Sequence, residues 1–193
     1  AAGKVDLTIS SSSNNTFSMQ AIEKISGITG VRASTGVLMD SIQIPASMGG
    51  KTDPLTGSAA ITLNGLDLNS ALAVRKYSVD DGRFLEAGDD LAAVISYNLS
   101  RKMDLGLGDT LVIPSAQGTA NLTVVGILNQ LESSTTDDVY VPLPAAQEIL
   151  HAPGQISAVD ILLDAAVEPS VVEEAILAAL GSGYKVGAVE VGN

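Results

Sequence analysis

The sequence predicts an α+β protein. A split βαβ, ferredoxin-like lobe is assembled from both termini, and a mixed, strand-rich lobe is inserted between them. Three observations carry this: residues 1–44 read strand–helix–strand, residues 156–193 repeat that order, and the long section 45–155 contains more strand than helix.

At the N-terminal end, Val5, Leu7 and Ile9 alternate with polar residues, as on a half-buried strand. Ser10 to Asn15 is a polar turn. A helix follows, with Ser, Thr or Asn available to cap it, Ile22 and Ile25 on its inner face and Gly27 to stop it. Val31, Ala33, Thr35, Val37 and Met39 alternate again as a second strand. At the other end, Ala158 to Leu163 reads as a strand. Glu168-Pro169-Ser170 opens a helix, Ser170 and Glu173 have capping-box spacing, and Tyr184 to Val191 closes as a strand.

In the middle, Pro45 to Gly57 is a Gly-, Ser-, Thr- and Pro-rich linker or loop. Strands are expected at Ala60 to Leu63, Leu91 to Ser96 and Val139 to Val141. Leu111 to Ile113 and Leu122 to Leu128 pair around a turn containing Gly118. Short helices are expected over Leu68 to Lys76 and Asn98 to Met103, and after Pro142 and Pro144 through Leu150.

Composition narrows the function. Of 193 residues, 46% are hydrophobic, enough for a real core, but only 3% are aromatic, so Val, Ile, Leu and Ala must build it. The net charge of −12 argues against nucleic acid and anionic lipid headgroups, which both need clustered Lys and Arg. The absence of Cys fits a bacterial exported domain that avoids stray disulfides. The apolar stretch Ala175 to Leu180 is far short of the roughly 20 residues of a membrane span. No signal peptide is visible, so either the protein is cytosolic or membrane parts lie outside the segment.

Motifs that imitate chemistry fail on context. Gly49-Gly50-Lys51-Thr52 resembles the end of a phosphate-binding loop, but Pro45 stands where its first Gly is needed and Asp53-Pro54 breaks the required helix. Gly106-x-Gly108 follows a helix and precedes a strand, the reverse of a dinucleotide fingerprint. His151 is the sole histidine and sits just past a helix end, a structural or exposed position. Asp80, Asp81, Glu86, Asp89 and Asp90 lack calcium-loop spacing and read as solvated turns. Asp40-Ser41 and Asp109-Thr110 lack the Gly of an aspartic-protease motif. No catalytic, cofactor-binding or metal residues are assigned. The polar stretch Gln130 to Asp138, with Glu132, Ser133, Asp137 and Asp138, reads as an exposed hairpin loop that could contact a partner.

Residues 77–163 carry a resemblance. They contain Asp80-Asp81-Gly82-Arg83-Phe84, Gly88-Asp89, Ala92-Ala93-Val94-Ile95-Ser96, Gly106-x-Gly108-Asp109-Thr110-Leu111, Thr123-Val124-Val125-Gly126-Ile127-Leu128 and Asp138-Val139-Tyr140-Val141-Pro142-Leu143. Asn64-Gly65-Leu66-Asp67 and Ile28-x-Gly30-Val31 precede them. This order resembles the MacB-like periplasmic core domain of FtsX-type ABC permeases, over nearly the whole chain. The resemblance implies structural motif residues at Gly65, Asp67, Gly82, Arg83, Gly108, Asp109, Gly126 and Pro142. Gly82, Gly108 and Gly126 suit turns, a bulge or close backbone approach. Asp109 can bond backbone amides, and Arg83 can brace a carboxylate or carbonyls.

The resemblance also implies a porter-type lobe formed by 1–44 and 156–193, with 45–155 inserted. It implies a non-catalytic domain outside the cytoplasmic membrane, periplasmic or extracellular, between the first two membrane helices of an efflux-type transporter. There it would transmit ATP-driven movement and bind a partner or exported substrate. The implied partners are a cytoplasmic ABC ATPase and a second permease copy, with an adaptor, lipoprotein or peptide as the candidates outside the membrane. The alternative is a freestanding extracytoplasmic binding or adhesion module with a concave ligand site.

Overall fold

Alternation along the first strand sets the inner face: Leu7 and Ile9 are buried while Thr8 and Ser10 are half-exposed. The computed structural model describes residues 5–45 and 58–188. In chain order it contains β1 (Leu7–Ser11), β2 (Phe17–Ser18), α1 (Ala21–Ser26), β3 (Val31–Pro45), β4 (Ser58–Leu66) and α2 (Ala71–Val74). Then come β5 (Val79–Gly82), β6 (Ala92–Ile95), α3 (Tyr97–Met103), β7 (Thr110–Ser115), β8 (Gly118–Leu128) and α4 (Gln130–Ser133). The chain continues through β9 (Asp138–Pro142), α5 (Leu143–Ile149), β10 (Gln155–Ile156), β11 (Ala158–Leu163), α6 (Pro169–Leu180) and β12 (Tyr184–Ala188).

One large mixed sheet runs in the order β12-β1-β11-β3-β4-β9-β6-β8-β5, with β7 paired to β8; β2 and β10 form a separate pair. The two ends of the chain interlock. Strand β11 lies antiparallel between β1 and β3, and β12 lies antiparallel outside β1. Hydrogen bonding then passes without a break into the middle section. The first half of β3, up to Val37, pairs with β11, and from Val37 to Pro45 it pairs with β4. Beyond β4 the ladder is parallel to β9, antiparallel to β6 and parallel again to β8.

The main core fills one side. It includes Leu7, Ile9, Ile25, Leu63, Val139, Val141, Ile161 and Ile176, contributed by strands from every part of the sheet and by α1, α5 and α6. A smaller cluster of Leu85, Ala92, Val94 and Leu128 is packed against Tyr77, Phe84 and Tyr140.

The structure alters several sequence expectations. Helix α1 starts after Gln20 with no side-chain cap, because the nearby Ser18 hydroxyl takes the Gln20 amide (3.2 Å) in the preceding turn. The Ser170–Glu173 capping box does not form: Pro169 occupies the first helical turn and Glu168 becomes the cap residue, which places Ser170 inside the helix. Helix α2 is shorter than 68–76, since Asp67 turns the chain first. Its Oδ1 accepts the Asn69 amide (3.1 Å), and its carbonyl accepts those of Ser70 (3.1 Å) and Ala71 (2.7 Å). The segment after β8 is not a hairpin tip, because β6 separates β8 from β9; it crosses over and contains α4. The Gly49–Thr52 motif lies outside the described residues.

Candidate functional site

Three of the six aromatic residues gather on the smaller cluster. Tyr77 and Phe84 stack with centroids 4.4 Å apart and planes 5° from parallel. Tyr140 of β9 leans against them at 5.2 and 6.3 Å. Two of them, Tyr77 and Tyr140, border a cleft of about 440 Å³ lined also by Leu128, Glu132, Asp138 and Thr136, with Arg75, Lys76, Ser78 and Ser133 completing it. This volume is in the range of ordinary ligand sites.

Both lining segments are pinned. Ser96, the N-cap of α3, accepts the Leu99 amide (3.3 Å), donates to the Thr136 carbonyl (2.6 Å) and accepts the Asp138 amide (3.2 Å). Ser133 is only 3% exposed; its hydroxyl accepts the Tyr97 amide (2.8 Å) and donates to the Asn129 carbonyl (2.9 Å). On the other side, Asp80 accepts from Asn129 Nδ2 (2.8 Å) and the Gln130 amide (3.1 Å), and the Asn129 amide donates to Ser78 (2.8 Å). These hydrogen bonds fix the segments that line the cleft.

Burial dominates its electrostatics. It raises the Asp138 carboxyl above the usual carboxylate value, against the lowering effect of hydrogen bonds from Thr136 and Asn64. It also raises both phenols, Tyr77 and Tyr140. Arg75 opposes the rise at Tyr77, which it hydrogen-bonds, and its charge also reaches Asp160. Among the described residues no group of three or more His, Asp or Glu could hold a metal ion.

Of the four residues singled out in Gln130–Asp138, Glu132, Ser133 and Asp138 come together at the cleft. Asp137 turns to α3, accepting from Asn98 (2.7 Å) and Lys102 (3.0 Å). Tyr77, Leu128, Thr136 and Tyr140 were not anticipated. The available signal was scarcity: in a chain with so few rings, each aromatic asks for a reason.

The eight motif residues lie away from this cleft. Gly65 faces α5, and a Cβ there would strike the Ala146 methyl; Pro142 ends β9 opposite Leu66 and caps α5. Asp67 makes the turn into α2. Arg83 holds Asp89 through two hydrogen bonds (2.9 and 3.0 Å) and donates to the Phe84 carbonyl (3.1 Å). Asp109 accepts the Gly106 amide (2.8 Å), while Gly108 and Asp109 exchange backbone bonds with Val124 (2.9 Å each). Gly82 pairs with Gly126. Asp67, Asp89 and Pro142 also border a second cleft of about 360 Å³, with Met19, Leu66 and Leu143. His151 is exposed, with left-handed backbone just past α5.

The family model for the MacB-like periplasmic core domain matches residues 2–179. The chain belongs to that family. Solved structures agree on the MacB-like fold. The extracellular domain of the noncanonic ABC-type transporter YknZ from Gram-positive bacteria is 19% identical, with a TM-score of 0.69, covering 97% of this chain and all of that one. The periplasmic region of MacB from Actinobacillus actinomycetemcomitans is 14% identical, with a TM-score of 0.71, covering 94% and 87%. A domain of a putative permease protein from Porphyromonas gingivalis is 17% identical, with a TM-score of 0.53, covering 96% and 86%. No curated protein matches. Among its described residues, this MacB-like domain presents no helix long and apolar enough to cross a membrane.

Proposed function

We propose that this MacB-like domain serves an ABC-transporter permease outside the cytoplasmic membrane, as a rigid transmission and partner-binding module. A porter-type lobe is formed by 1–44 and 156–193, and 45–155 is the inserted lobe that it carries. ATP hydrolysis belongs to a cytoplasmic ATPase, and a second permease copy completes the transporter. The ligand is an extracytoplasmic partner or an exported substrate.

One observation supports the reading most: β11 is seated between β1 and β3, while β3 alone continues into the ladder of the inserted section. Movement imposed on the interlocked ends would reach the insert through one continuous strand of 15 residues rather than through a flexible joint.

This domain contributes no Cys of its own to the labelling. Gln117→Cys in the inserted section and Ser170→Cys in the terminal lobe, both exposed, receive spin labels in the full-length permease with its ATPase. The distance between labels on the two permease copies should change when ATP binds, while the distance within one domain stays fixed. Nucleotide-insensitive distances, or a change confined to the single domain, would overturn the proposal.

A further inference from the structure

The aromatic cleft carries more than a general binding role. We propose that it docks an extended segment of a polypeptide partner, which inserts one bulky apolar side chain flanked by an acid and a base. This rests on the reading of the domain as a partner-binding module.

Four observations lead there. First, Leu128, Tyr77 and Tyr140 give the cleft an apolar lining of the size that receives an anchoring side chain, and rigid aromatic contacts dominate such interfaces. Second, both lining segments are fixed by hydrogen bonds to α3 and to Asp80, so little ordering is left to be done on binding. Third, Leu131 on α4, beside Glu132, is 91% exposed, more than any other large apolar side chain described. Fourth, the charges are divided: Arg75 and Lys76 stand on one lining segment, Glu132 and Asp138 on the other. A polyanion or a polycation would meet repulsion from one segment, whereas a peptide with opposite charges on either side of its anchor meets attraction from both. The neighbouring β5 ends the sheet order, so an extended segment also finds a strand edge beside the cleft.

The test uses the isotope-labelled 193-residue chain and blocked synthetic peptides. One has Phe between Lys and Glu, one reverses the two charges, and one replaces Phe with Ala. The Phe peptide in one charge order should give saturable NMR shifts at Tyr77, Leu128, Ser133 and Tyr140. The Ala peptide should bind at least about tenfold more weakly. Leu131→Asp, an exposed change that leaves the remaining spectrum in place, should remove the effect. Glu132→Lys, which leaves the second segment without net charge, should erase the preference for one charge order.

Absent shifts, shifts elsewhere or an Ala peptide that binds equally would overturn the inference. So would N-acetylphenylalanine amide binding as well as the peptides, which marks a small-molecule site. Self-association in sedimentation that Leu131→Asp abolishes would assign the cleft to a second copy instead. None of these outcomes touches the nucleotide-driven distance change in the permease, so the two readings fail separately.

Discussion

Gly82 and Gly126 lie directly opposite each other where β5 pairs with β8, and each makes room for the other strand's backbone. A Cβ on Gly126 would run into the Arg83 carbonyl, and one on Gly82 into the Val125 carbonyl. Gly82 also has φ of +75°. Gly126→Ala should destabilise the protein by about 3 kcal/mol in urea unfolding. Gly88→Ala, with positive φ but nothing within 4 Å of the added atom, should cost only about 1 kcal/mol. Equal losses would mean that the strand contact at Arg83 relaxes at little cost.

The Arg83–Asp89 pair closes the loop that β5 opens. The hydrogen bonds from Arg83 are the main cause holding the Asp89 carboxyl below its usual value, assisted by the Glu86 amide. A depressed folded value contributes stability above the ordinary carboxylate range, and that contribution is lost as pH falls through the folded value. Arg83→Gln should move the Asp89 titration, followed by carboxyl-carbon NMR, back toward 3.8. An unmoved titration would show that the Glu86 amide is sufficient.

Asp138 and Asp160 behave in the opposite sense. Both are raised above 3.8, chiefly by burial, and Asp160 keeps only the Thr8 hydroxyl (3.0 Å) as a hydrogen-bonding side-chain partner. For a raised acid, the favourable contribution is complete below the ordinary value and is lost as pH climbs through the folded value. Stability measured from pH 4 upward should therefore carry a declining component that Asp160→Asn and Asp138→Asn each reduce. A double variant with the parent's pH slope would refute the assignment.

Ser133→Ala removes the acceptor for the Tyr97 amide at a nearly solvent-free position. A loss of about 1–3 kcal/mol is expected from the unsatisfied donor. Hydrogen exchange should also quicken over residues 130–137, because that hydroxyl ties α4 to the start of α3. Unchanged exchange would indicate that Ser96 alone secures the segment.

Much of the architecture could be read from alternation. Leu7 and Ile9, the uninterrupted buried run Ala92–Ile95 and the apolar β9 all mark strands by local pattern alone. Helix α6 opens at Glu168-Pro169 as the sequence predicts; the capping box that fails to form and the late start of α2 trace to competition among neighbours, since Pro169 takes the first turn ahead of Ser170 and Asp67 closes its turn before α2 can begin. The crossover at Gln130 looked like a hairpin because nothing local to β8 or β9 records that β6 comes between them. The cleft was half visible. Glu132 and Asp138 belong to one polar stretch, but Tyr77 reaches them only through the pairing of β5 with β8. Contacts between residues so far apart leave no periodic trace.

The pairing of Leu7 with Ala188 brings the start of β1 and the finish of β12 side by side. The described chain thus enters β1 and leaves β12 at neighbouring points of the sheet. A body gripped at one spot pivots as a whole; it is not stretched between two distant handles. Elements far along the sheet order from that edge, such as β8 and β5, would then sweep a wider arc than β11 for a given twist at the base.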